Sequence, residues 1–175
     1  TGAYLAEKEF ITNGQIKWEN LYEANQQHSI SGNSIYALYE DRHNDTFMSL
    51  DSGIHKRLNE HFTIDASLSM ALLRSENYAY MLDLLGGNGF LDVDTYADSW
   101  TEAQSNLLTV NRIVNKNEKF KYNYVLNASQ WKGYARSNYA SRRIEAFLAF
   151  SINRSSHQRT GLYENGAFPG EASLG

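Results

Sequence analysis

The sequence predicts a mainly β fold: a segment of an antiparallel transmembrane β-barrel whose long extracellular loops carry short helices. Three observations predict it. The chain alternates between apolar and polar residues on both sides of a short polar break from Phe47 to Leu72, it is rich in Tyr and Asn, and its connections are very unequal in length. Tyr occurs twelve times and Pro once in 175 residues, a mixture that favours strands joined by polar turns.

In the first strand Met48, Leu50, Ile54 and Leu58 hold one parity, and Ser49, Asp51, His55 and Arg57 hold the other. After the break Asn59-Glu60-His61, Phe62, Ile64, Ala66, Leu68, Met70 and Leu72 alternate with Thr63, Asp65, Ser67 and Ser69. A period of two on both sides of a short polar break reads as an antiparallel hairpin, at about 46–72. Each strand is about eleven residues long, beyond the usual five or six of soluble sheets and close to the 9 to 11 of a tilted transmembrane strand. A second hairpin, at about 120–154, sets Tyr122, Tyr124, Leu126 and Ala128 against Lys121, Asn123 and Asn127. It turns at Ala140-Ser141-Arg142-Arg143 and returns through Ile144, Ala146, Leu148, Phe150 and Ile152. Its apolar parity changes near Trp131 and Tyr134, as a β-bulge beside the turn or a simple local irregularity would produce.

Both turns are short, whereas about 74–119 separates the hairpins, far longer than the loops of compact domains. Barrels of the outer membrane have this asymmetry of short periplasmic turns and long extracellular loops. Within the long connection Tyr78, Met81, Leu82 and Leu85 have helical spacing ending at Gly86-Gly87, and Ser99-Trp100-Thr101-Glu102 matches a capping box for a second short helix.

The alternation by itself also fits a soluble, secreted β-sandwich serving as a ligand- or glycan-binding module. In the barrel, Leu50, Ile54, Ile64, Leu68 and Leu148 face lipid, while Asp51, Asp65, Ser67, Ser69, Glu145 and Asn153 face a polar lumen. In a sandwich the same two sets face core and water. Lys56, on the apolar parity near the turn, reaches the interface by snorkelling. The aromatic residues Tyr78, Tyr80, Trp100 and Tyr163 are candidate ligand-stacking groups of the extracellular loops, and equally serve to order those loops.

Other classes recede on composition. A net charge of −4 with scattered Lys and Arg gives no electrostatic footprint for nucleic acid. No apolar run approaches the roughly 20 residues of a membrane-spanning helix. Zero Cys removes disulfides, thiolate catalysis and Cys-based zinc sites. The chain starts at Thr1 without a basic or apolar leader, so a targeting segment is expected to be cleaved or to lie outside this stretch.

No catalytic, cofactor or metal site is predicted. His28, His43, His55, His61 and His157 are dispersed without ligand spacing. Asp92-Val93-Asp94 lacks the order of a calcium loop, and Gly86-Gly87-Asn88-Gly89 lacks the Lys-Ser or Lys-Thr of a phosphate cradle and reads as a helix stop. Ser, His and Asp are present without a nucleophile elbow. The nearest enzyme alternative is a barrel-borne lipid hydrolase using His61 or His157 with a nearby Ser.

Longer stretches carry a family resemblance. They are Gly14-Gln15-Ile16-Lys17-Trp18-Glu19-Asn20-Leu21-Tyr22-Glu23-Ala24-Asn25, Tyr36-Ala37-Leu38-Tyr39-Glu40-Asp41-Arg42, Leu84-Leu85-Gly86-Gly87-Asn88-Gly89-Phe90-Leu91-Asp92-Val93-Asp94, Asn111-Arg112-Ile113-Val114, Lys119-Phe120-Lys121-Tyr122-Asn123-Tyr124 and Gln158-Arg159-Thr160-Gly161-Leu162-Tyr163-Glu164-Asn165-Gly166. In that order they resemble TonB-dependent receptors of the Bacteroidetes type, over nearly the whole chain after about Asn13. The resemblance implies an outer-membrane nutrient transporter: a barrel of about 22 strands filled by a plug and energised through TonB. It identifies no substrate. Residues 1–175 then form a partial barrel domain, perforce without plug or TonB-contacting segment. The implied partners are outer-membrane lipid, the remaining strands and plug of the parent protein, the TonB complex through segments absent here and, as an open option, a surface lipoprotein.

Overall fold

The computed structural model describes Ile11, residues 14–28 and residues 32–175. Its elements run α1 (Trp18–His28), β1 (Leu38–Arg57), β2 (Phe62–Asp83), β3 (Phe90–Leu91), a 3-10 turn (Leu107–Thr109), β4 (Ile113–Val114), β5 (Lys119–Ala140), β6 (Glu145–Gly161) and α2 (Glu171–Leu174). The four long strands form one open antiparallel sheet in the order β1-β2-β5-β6, with β1 and β6 at its edges. β3 and β4 make a separate antiparallel pair, Phe90 opposite Val114 and Leu91 opposite Ile113.

The mainly β class and both hairpins are present, but β1 and β2 are 20 and 22 residues long rather than about eleven, while β5 and β6, expected within about 120–154, are 22 and 17 residues long and reach Gly161. The extra length lies at the ends away from the turns. β2 continues to Asp83, so the helix expected over Tyr78–Leu85 is instead strand, and the connection to β5 shortens to residues 84–118. The chain divides into two compact units. The first comprises Thr1–His43, Glu76–Val125 and Thr160–Gly175; the second comprises Asn44–Ser75 and Leu126–Arg159.

The first unit has a protein core. Ala79, Met81, Val114 and Phe120 are fully buried, with Ala37, Leu84, Phe90 and Tyr122 packed on them. Phe120 meets Tyr39 and Phe90 edge to face, at 5.4 and 5.8 Å between centroids. Asn25 of α1 is 1% exposed and saturates its amide. Its Nδ2 donates to the carbonyls of Tyr36, Leu84 and Leu85 at 2.9 to 3.1 Å, and its Oδ1 accepts from the Ile35 and Tyr36 N–H groups. A buried amide left unpaired would cost about 1–3 kcal/mol, so Asn25 fixes the helix against residues 35–36 and the end of β2.

β2 stops because Asp83 Oδ1 caps the Leu85 N–H at 2.8 Å and both Leu85 and Gly86 have positive φ. The Gly-rich stretch is therefore a strand stop, not a helix stop. At Gly87 a Cβ would lie 2.1 Å from Ser34 Oγ, so only glycine permits the approach of residue 34. The capping box at Ser99 forms in part: Ser99 Oγ accepts from the Glu102 N–H at 3.3 Å and Ser99 O from the Ala103 N–H. No helix propagates, because Gln104 bridges back to Val93 and Ala103 accepts from the Asp94 N–H.

The second unit is a bare sheet: Ser75 is its single buried residue. Its turns are closed locally. Asn59 Oδ1 accepts from the His61 and Phe62 N–H groups at 2.9 Å, and the Ser141 N–H donates to the Ile144 carbonyl at 2.8 Å.

Candidate membrane-facing surface

Contacts across the second unit assign each parity to a face. His55 Nδ1 meets Asp65 Oδ1 at 2.5 Å, and Asn138 Nδ2 donates to Thr63 Oγ1 and Asp65 Oδ2 at 3.2 and 3.1 Å. The Arg136 guanidinium stands 4.7 Å from the Phe147 ring centroid. Because side chains alternate along a strand, odd residues of β1 and β2, even residues of β5 and odd residues of β6 share one face. Asp51, Asp65, Ser67, Ser69, Glu145 and Asn153 all belong to it.

The reverse face is held in register by Phe62 against Tyr139, 4.9 Å between rings, and by Gly133 beside Ile152. It carries Met48, Leu50, Ile54, Ile64, Leu68, Trp131, Leu148, Phe150 and Ile152. Leu50, Phe150 and Leu148 are 62%, 69% and 78% exposed, so none of the described residues covers them. β5 runs unbroken through Trp131 and Tyr134, which places Trp131 on the apolar face and Tyr134 on the polar one. The predicted parity change is thus a change in which face is apolar along β5, and needs no bulge. The positive φ of β5 falls at Lys121, in the first unit, where Asp92 Oδ1 accepts the Lys121 N–H; the sequence carried no signal for it.

The apolar band has a measurable height. From Met48 to Leu58, or Phe62 to Leu72, ten steps of ~3.3 Å tilted by ~40° span about 25 Å, the height of an outer-membrane apolar band. Its far edge also slopes. Its last large apolar residues are Met48, Leu72, Trp131 and Ile152 on successive strands. Counting pairs outward from the turns puts Ile152 level with Gly133 and Leu68 rather than with Leu72. A retreat of about four residues, or ~13 Å, over three strand spacings of ~4.8 Å sets this edge oblique to the strands by about 40° from the perpendicular. Phe62 and Tyr139 flank the band at its turn edge, and Trp131 flanks it at the other.

The four aromatic loop candidates separate. Tyr78 is 6% exposed within β2, under the Lys119 ammonium at 3.9 Å, so it is not the exposed loop residue expected. Tyr80 is half-buried in β2 beneath the Arg42 guanidinium at 3.6 Å. Tyr163 Oη accepts from Arg112 Nη1 at 2.6 Å and donates to the Lys119 carbonyl at 3.0 Å, a structural tie. Trp100, 60% exposed, alone keeps a free face. The other predicted chemistry resolves locally: Asp94 Oδ1 caps the Tyr96 N–H, and His61 Nδ1 contacts the Ala140 carbonyl. Among the described residues no group of three or more His, Asp or Glu is placed to hold a metal, and no helix is long and apolar enough to cross a membrane. No protein-family model and no curated protein matches the chain.

Proposed function

We propose that this chain is a stretch of the barrel wall of a TonB-dependent outer-membrane transporter for nutrient uptake, with no catalytic role of its own. The observation that carries it is the second unit's sheet, apolar on one uncovered face over about 25 Å and polar on the other. A soluble sandwich would bury that face under a second layer, and a bare apolar face of this extent in water would be an aggregation liability. The apolar face meets lipid, and the face bearing Asp51, Asp65, Ser67, Ser69, Glu145 and Asn153 lines the lumen. The edges β1 and β6 expose backbone groups that lipid cannot satisfy, so further strands of the parent protein pair with both, and the plug and TonB-contacting segment belong to other parts of it.

Topology tests the proposal, and residues 1–175 contribute no Cys of their own to the labelling background. A Cys at Asn88, in the connection between β2 and β5, is expected to react with a membrane-impermeant maleimide on intact cells, and a Cys at Asn59, in the turn, only after lysis. Equal labelling of both sites on intact cells would exclude it.

A further inference from the structure

A hollow of about 470 Å³ lies on the second unit. Two side-chain rows of the apolar parity cross it. Met48 and Leu72 mark the last apolar row, with Ser129 and Ser156 beside them; Thr46, Arg74, Asn127 and Gln158 form the next. The hollow thus straddles the far edge of the band, offering methylene surface on one side and hydroxyl, amide and guanidinium groups on the other. Arg74 is its one charged lining residue, and the planar fork of N–H donors of a guanidinium matches phosphate geometry.

Resting on the membrane reading above, we infer that this hollow is a lipid-headgroup site, taking the phosphate and hydroxyls of an anionic membrane lipid whose acyl chains lie along Met48, Leu72 and the band beyond. The occupant is a membrane lipid rather than a free anion because the polar row begins where the apolar band ends. A headgroup is held at that level only when its chains are buried beside it.

The test is co-sedimentation of the full chain with vesicles of phosphatidylcholine alone and of phosphatidylcholine with phosphatidylglycerol. The expected result is binding to both, about fivefold tighter to the anionic vesicles, the contribution of one basic residue at such a surface. Arg74→Gln is expected to abolish the anionic preference while keeping binding to phosphatidylcholine, and Ser156→Trp, which fills the hollow without changing charge, to do the same. Arg57→Gln, on the opposite face, is expected to keep the preference. An unchanged preference in both hollow variants overturns the site, as does its loss in competition with millimolar glycerol phosphate, which would mark a free-anion site. Failure of the native chain to bind either vesicle would instead overturn the membrane reading on which the site rests.

Discussion

The same four strands meet two different surroundings. In the first unit they are covered: Ala79, Met81, Val114 and Phe120 are buried with Ala37, Leu84, Phe90 and Tyr122 packed against them, and Asn25 ties α1 to the end of β2. In the second they are uncovered, and large apolar side chains such as Phe150 and Leu148 stand in the open. A strand's hydrophobic face is thus covered by the protein's own residues in one place and left uncovered in the other.

Truncation breaks the comparison most sharply. Phe120→Ala is expected to cost the first unit about 3–5 kcal/mol in denaturant unfolding, as for a buried aromatic, while Leu148→Ala, at an open position, leaves stability in aqueous buffer nearly unchanged. Equal losses would mean that the second unit has a core after all.

Charge placement sharpens it from the lipid side. In a bilayer-refolded sample, Leu68→Arg is expected to cost about 2–4 kcal/mol, the usual penalty near the middle of an apolar band, whereas Ser67→Arg, one residue away on the polar face, costs little. A reversed order would exchange the lipid and lumen faces.

The smallest effect belongs to Asp92 in the loops of the first unit. Burial raises its pKa, against the opposing pull of the Ser105 hydroxyl, the Lys121 N–H and the Arg112 and Lys121 charges. A carboxyl with a raised folded-state pKa favours folding while protonated, and that contribution is lost as pH rises through the folded value. Asp92→Asn keeps an acceptor for Lys121 and is expected to raise Tm modestly at neutral pH. The gain shrinks as pH falls through the raised value toward the ordinary carboxylate range. A gain independent of pH would assign the effect to something other than ionisation.

The contrast between the units also explains what was legible in the sequence. Where one face is apolar and the other polar, as from Met48 to Leu72, alternation gave the hairpin, its turn and the shared face of Asp51, Asp65, Ser67 and Ser69. Beyond Ser75 both faces of β2 find cover, Tyr78 on one and Ala79 and Met81 on the other. The period-two contrast disappears there, leaving a chance helical spacing. α1 escaped notice because its buried residues are Ala24 and Asn25, which make no apolar stripe. The two-residue strands β3 and β4 are too short for any periodicity, and the hollow beside Arg74 arises from four strands lying side by side, which no single strand records.

The locally closed turns carry a consequence for how the sheet assembles. Joining β1 to β2 closes a loop of residues 58–61, whereas joining β2 to β5 closes residues 84–118, a difference of about 2 kcal/mol in chain entropy. Each hairpin is therefore a self-starting stave, ready soon after its turn is made. The seam between β2 and β5 waits for the intervening segment to collapse, so the order of zipping is written in the spacing of the turns.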